Sequence, residues 1–281
     1  MSRRYRTALV RQQLAQRHRR PTAPGAVRLS VVVPAYREAE RIGTTVARIG
    51  HELGPLVGPD DLEIVVVDDG SGDGTAEAAR SAGAHQVLDQ PANRGKGAAV
   101  RAGMMAATGR TVAFTDADLA YAPGQVHRLL EQVEDGWDVV VGSRCHHGTT
   151  TVVPAHRLRE VGGRVINAAT RTVLLGDHAD TQCGLKAFRS DVARVLFGRT
   201  RVDGFAFDVE LYLLTERYGF SLAEVPVEVE NSNQSTVNVI RDGARLLVDL
   251  ARIRWWSGAG IYDLEPGQLD DLTPGSSTPG E

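Results

Sequence analysis

Leu62-Glu63-Ile64-Val65-Val66-Val67-Asp68-Asp69-Gly70-Ser71-Gly72-Asp73-Gly74-Thr75 decides the fold class of this 281-residue chain. The run Leu62–Val67, without regular polar alternation, reads as a strand covered on both faces, as strands of parallel sheets are. Two similar runs flank it in the sequence. Leu29–Val33 leads into Pro34-Ala35-Tyr36-Arg37-Glu38, and Thr111–Thr115 leads into Asp116-Ala117-Asp118-Leu119. Working outward, strands are expected near 29–33, 62–67, 85–88, 111–115 and 138–142, with helices near 38–53, 74–82, 97–108 and 123–135. The alternation predicts an α/β fold with a mostly parallel, Rossmann-like sheet and helices on both faces. Such sheets bind ligands beyond the carboxyl ends of their strands, which is where the acidic segments fall.

Beyond residue 142 the pattern is less regular. Helices are expected near 157–175, 190–197, 206–218 and 236–256, with a strand at 220–230. The chain divides into a basic arm (1–28), one domain (29–258) and an acidic tail (259–281) rich in Gly, Pro and Ser, read as disordered. The arm holds eight Arg and no acidic residue, against 24 basic and 35 acidic residues in the remainder. That acidity argues against nucleic-acid binding. Cys145 and Cys183 suggest neither a zinc site nor a disulfide, so a reduced, cytoplasmic protein is expected. No segment reaches the ~20 apolar residues of a membrane span. Arg241, Arg245 and Arg252, followed by Trp255-Trp256, instead suit an anionic membrane surface, as does the arm. Peripheral attachment to the inner face of the cell membrane is the expectation.

The acidic segments carry the chemistry. Asp68 and Asp69 can accept hydrogen bonds from a base or ribose, although Asp, Ser and Gly also build ordinary turns. Asp73 is expected to cap the next helix. Asp116 and Asp118, two residues apart on an extended segment, point the same way and can share Mg²⁺ or Mn²⁺ with diphosphate oxygens. Asn93-Arg94-Gly95-Lys96-Gly97 opens a helix, where free N–H groups beside cations make an anion site; Gly95 and Gly97 would allow close approach. Arg144 offers a second cation to the diphosphate. Together these point to transfer of a sugar from a nucleotide.

Pro34–Glu38, Val67–Ser71 and Asp116–Asp118 resemble the successive signatures of family 2 glycosyltransferases with the GT-A fold. Asn93–Gly97, Asp180–Lys186 and Phe205–Leu211 resemble dolichyl-phosphate β-glucosyltransferases and related polyprenyl-phosphate glycosyltransferases. The resemblance implies inverting, metal-dependent transfer from a UDP-sugar, foremost UDP-glucose, to a polyprenyl phosphate. It implies nucleoside contacts from Pro34, Tyr36, Glu38 and Asp68, and metal or diphosphate contacts from Asp116 and Asp118. Arg37 stands where Asn is usual. A lipid phosphate is already an anion and needs no general base; if one is used, Asp180 is the first choice and Asp208 the second. Arg144 and Lys186 are then candidates to hold the acceptor phosphate. The competing readings are a soluble glycosyltransferase with a hydroxyl acceptor and a catalytically silent nucleotide-sugar-binding module.

Overall fold

The computed structural model describes residues 22–145, 149–151, 180–230 and 239–265. Seven strands form one sheet in the order β3-β2-β1-β4-β7-β5-β8. They are β1 Val27–Ala35, β2 Leu62–Asp68, β3 Gln86–Asp89, β4 Gly109–Phe114, β5 Val139–Ser143, β7 Lys186–Arg189 and β8 Leu222–Pro226. A small parallel pair, β6 Thr150–Thr151 and β9 Glu228–Val229, lies apart from it. All neighbours in the main sheet run parallel except β7, which is antiparallel to β4 and β5. The helices are α1 Ile42–Val57, α2 Thr75–Ser81, α3 Lys96–Ala106, α4 Gly124–Glu134, α5 Ser190–Arg199, α6 Phe207–Arg217 and α7 Val239–Gly258.

Alternation of side chains along each buried strand feeds two separate cores. Val31 and Val33 of β1 with Ile64 and Val66 of β2 meet Ile42, Val46, Ile49 and Leu53 of α1 and the apolar stripe of α4. Val32, Val65, Val67, Val112 and Phe114 point the other way, onto α3, α5, α6 and α7. The strand runs therefore lack a polar face because both faces are covered. β1 and β2 pair in register so that Ala35 lies beside Asp68, which brings two of the acidic segments to one edge of the sheet.

Several boundaries differ from the expected ones. Lys186–Arg189 forms a strand between β4 and β5, where no strand was expected. The expected strand over 220–230 is divided into β8 and β9. Fixed chain begins before residue 29: Ala26 N–H donates to the Thr108 carbonyl at 2.7 Å, and Ser190 Oγ donates to the Pro24 carbonyl. At the other end, Tyr262 falls in the stretch read as a disordered tail but is fully buried. Its hydroxyl donates to Glu210 at 2.6 Å and its ring meets Trp256 edge-on. The basic arm up to residue 21 and the helix expected near 157–175 lie outside the described residues, as does the tail from 266.

Candidate active site

A cleft of about 1360 Å³ opens over the carboxyl ends of β1, β2 and β4. Its lining takes in Pro34–Glu38, Asp69, Asn93–Lys96 and Asp116–Asp118 as a first wall, and Arg201–Phe205, which packs on the 93–97 loop, with one face of α7 as a second. That face carries Arg245, Val248, Asp249, Arg252 and Trp256, spaced as helical neighbours are. Leu246, Leu250 and Ile253 anchor the helix to the core from the adjoining side. Arg245 and Arg252 thus face the cleft, although they were read as part of a membrane-facing stripe. The two tryptophans separate: Trp256 turns inward onto Tyr262, while Trp255 remains 65% exposed.

On the first wall Tyr36 presents a ring that is 42% exposed, with the Arg37 guanidinium 5.3 Å from its centre. Arg37 has a left-handed backbone, φ 58°, a conformation that Asn tolerates better than Arg. Asp68 is buried, and its Oδ1 accepts from the Ser71 N–H at 3.0 Å and from the Ser71 hydroxyl. Asp69 lines the cleft and has a local task as well. It accepts from the backbone N–H groups of Arg94 (2.9 Å) and Gly95 (2.8 Å), which ties the Asn93–Gly97 loop to the end of β2. Asp73 caps locally as expected, accepting from Thr75 N–H, although Gly74 is the residue at the cap position of α2.

The start of α3 is not a free anion cradle. The N–H groups of Gly97 and Ala98 donate to the Asp203 carbonyl at 2.8 and 3.2 Å. The glycines permit close approach of protein chain. A Cβ at Gly97 would stand 2.6 Å from the Val202 carbonyl oxygen and 2.8 Å from Phe207 Cβ. Lys96 remains directed into the cleft, its Nζ 2.6 Å from Asp116 Oδ1.

Asp116 and Asp118 leave β4 through a turn rather than an extended segment: Leu119 N–H donates to the Asp116 carbonyl and Leu119 has φ 47°. Asp118 also serves locally, its Oδ1 accepting from Ala120 N–H at 3.1 Å. Both carboxylates still line the cleft. Burial, reinforced by the charge of Asp116, raises the pKa of Asp118. Glu38 is also pushed up, by burial first and then by Asp118 and Asp73, against the opposing pull of Arg41. Crowded, partly desolvated carboxylates of this kind favour a cation among them. Lys96 responds accordingly: burial would lower its pKa, but Asp116 and Asp208 outweigh this and raise it. Among the described residues no group of three or more His, Cys, Asp or Glu gathers to hold a metal ion. Asp116 and Asp118 supply two oxygen donors of the kind a hard divalent ion takes.

The two acids considered as bases are otherwise engaged. Asp180 receives the Arg144 backbone N–H (2.9 Å), Nε (2.7 Å) and Nη2 (2.8 Å), plus the Gln182 N–H. Burial alone would raise its pKa, but the guanidinium more than offsets this and holds it low. A carboxylate so paired is a poor proton acceptor. Asp208 is buried against Lys186, whose Nζ lies 2.6 Å from its Oδ1 and also donates to the Thr181 and Cys183 carbonyls. Lys186 is thus an internal brace, which rules it out as the expected phosphate ligand. Glu210, on the same helix, accepts from the N–H groups of Arg201 and Val202 and so shapes the second wall.

Gly184 is a site residue that the sequence did not single out by role. A Cβ there would collide with the Asp116 carboxylate, standing 2.9 Å from its Cγ. Its place inside the polar segment 180–186 was the available signal.

The glycosyl transferase family 2 profile matches residues 30–197. A dolichyl-phosphate beta-glucosyltransferase of Trichomonas vaginalis is 32% identical over 257 residues, covering 86% of this chain and 75% of that protein. One from Dictyostelium discoideum is 30% identical, covering 84% and 77%. Glycosyltransferase AglD of Haloferax volcanii is 33% identical over 85% of this chain, which spans only 39% of that longer protein. Among solved structures, glucosyl-3-phosphoglycerate synthase from Mycobacterium tuberculosis, in complex with Mn²⁺, UDP and glucosyl-3-phosphoglycerate, superposes with a TM-score of 0.62. It shares 23% identity over 87% of this chain and 83% of that one, which speaks to the fold. With the sheet order, the cleft and these matches together, the chain belongs to glycosyl transferase family 2 and is a glycosyltransferase of the GT-A fold.

Proposed function

We propose that this enzyme transfers glucose, with inversion, from UDP-glucose to a polyprenyl phosphate at a membrane surface. The observation that carries the reading is that one cleft is lined by two unlike sets of side chains. Asp116 and Asp118 belong to one, and Arg201, Arg245 and Arg252, with Phe205 and Trp256, belong to the other. The first suits a metal-bound diphosphate and the second an anion on an apolar chain. The names of the dolichyl-phosphate beta-glucosyltransferase relatives support the same donor sugar and acceptor class.

In this reading Pro34, Tyr36, Glu38 and Asp68 receive the nucleoside. Asp116 and Asp118 hold Mg²⁺ or Mn²⁺, which when bound supplies charge stabilisation to the departing diphosphate. The acceptor phosphate is the nucleophile and arrives ionised, so no side chain has to remove a proton. That accords with an Asp180 clamped to Arg144 and an Asp208 clamped to Lys186. Arg245 and Arg252, with Arg201, orient the phosphate. The exposed Leu247 and Trp255 on α7 provide peripheral membrane contact. No helix among the described residues is long and apolar enough to cross a membrane.

The test offers the purified enzyme UDP-glucose, UDP-galactose and GDP-mannose, each with a polyprenyl phosphate or a panel of soluble hydroxyl acceptors. Glucose in the lipid extract, from UDP-glucose above the other donors, is the expected result. Transfer to a hydroxyl acceptor with none to the lipid phosphate would overturn it.

A further inference from the structure

Lys96 stands against one of the two carboxylates that an arriving divalent cation would use. Its ammonium lies 2.6 Å from Asp116 Oδ1, and its charge also acts on Asp118 and Asp208. On its Gly184 side the Asp116 carboxylate lies so close to the backbone that a Cβ there would collide with it. Lys96 is held differently. It is the first residue of α3, fixed at its backbone by a helix whose next two N–H groups are tied to Asp203, and only its flexible stem reaches the cleft.

We propose that Lys96 is an internal cation that neutralises Asp116 in the free enzyme and makes metal binding conditional on the donor diphosphate. The proposal rests on the reading that Asp116 and Asp118 hold the metal, and it adds a mechanism that controls when they do. A carboxylate already paired with an ammonium offers a divalent ion little net field. Two carboxylates also leave an Mg²⁺ or Mn²⁺ ion far short of its ligands, and no third His, Cys, Asp or Glu joins them among the described residues. A diphosphate cures both defects together. Its oxygens complete the coordination of the ion, and its negative charge accepts the ammonium displaced from Asp116. Metal and nucleotide then strengthen each other by the same factor, as linked ligands must.

This role is separable from that of a plain phosphate ligand. If Lys96 only contacted phosphate, its loss would weaken UDP binding and leave nucleotide-free metal binding unchanged. As a competitor of the metal, its loss must strengthen nucleotide-free metal binding.

The experiment is titration of the full chain with Mn²⁺, followed by calorimetry or by the paramagnetic signal of the free ion, with and without UDP. Wild type is expected to bind Mn²⁺ at least about tenfold more tightly with UDP than without it. Lys96→Met is expected to raise the nucleotide-free affinity by about tenfold or more and to reduce the gain from UDP, while Lys96→Arg retains wild-type behaviour. Lys96→Gln repeats the measurement should thermal melting show the methionine variant unfolded. Unchanged or weaker nucleotide-free affinity in the Met and Gln variants, with Mn²⁺ still bound beside UDP, would overturn the role of Lys96 alone. Failure of wild type to bind Mn²⁺ even with UDP would overturn the metal site itself, and this inference with it.

Discussion

The Asp116 carboxylate meets the Lys96 ammonium and lies close against Gly184. Any side chain at 184 must move that carboxylate. Gly184→Ala is therefore expected to cut kcat/KM by roughly 100-fold, the cost of a displacement near 1 Å at a reacting site. Overpacking should cost the fold only about 1–3 kcal/mol. Turnover measured beside a thermal melt separates the two effects, and a fully active Gly184→Ala enzyme would contradict this packing. At this scale the sequence was legible where a carboxylate ends an apolar strand and lines the cleft, as Asp116 and Asp118 do. It was illegible where the task depends on a partner remote in sequence. Asp69, Asp180 and Asp208 look like ligands as residue types, yet their partners are the 94–95 backbone, Arg144 and Lys186.

Elements explain the remaining surprises. β7 escaped notice because four residues beginning with a charged lysine carry no periodicity, and only its neighbours in the sheet make it a strand. The start of α3 looked like an anion site because sequence cannot show that the Asp203 carbonyl fills it. α7 was correctly expected as an amphipathic helix, but its cationic side proves to be a wall of the cleft. The segment from Asp180 to Lys186 is held by the Arg144 and Lys186 pairs, so Asp180→Asn tests stability before catalysis. The folded pKa of Asp180 lies below its unfolded value of ~3.9. Its contribution is therefore complete above that value and is lost as pH falls through the lower folded one. Asp180→Asn should cost about 2 kcal/mol near neutrality, by loss of charge-assisted hydrogen bonds, and nothing in strong acid. Denaturant melts across pH measure this. The shape of the pH–rate profile should not change; loss of its limb in the variant would restore Asp180 as a base.

The whole molecule brings three distant stretches to one cleft: the strand ends before residue 119, the 201–205 loop and the C-terminal helix. The fold class was legible because five strand runs announce it, whereas the meeting of the second half with these strand ends in one cleft was not. The fold is closed from its far end by Tyr262, which bridges Glu210 and Trp256. Chain termination after 258 would strip a buried aromatic and should destabilise the protein by about 3 kcal/mol or more, measured as a fall in Tm against the full chain. Membrane contact also belongs to this scale. Wild type should bind anionic vesicles at low salt, more weakly at high salt or without residues 1–21, which leaves β1 intact, because each arginine near such a surface contributes roughly 1 kcal/mol that salt screens. Trp255→Ala should lower binding further, and a full chain that stays free of vesicles at low salt would contradict surface attachment.

The central claim is that the cleft moves glucose from a metal-bound UDP-glucose to a lipid phosphate, with Asp116 and Asp118 as the metal ligands. The most direct measurement is the transfer of labelled glucose from UDP-glucose into the organic-extractable polyprenyl phosphate pool. It is made with Mn²⁺ or with chelator, for wild type, Asp116→Asn and Asp118→Asn. The account predicts lipid-bound label for wild type with metal, and its loss with chelator or in either folded variant, a barrier increase of several kcal/mol. Near-native transfer by both variants, or undiminished transfer in chelator, would contradict it.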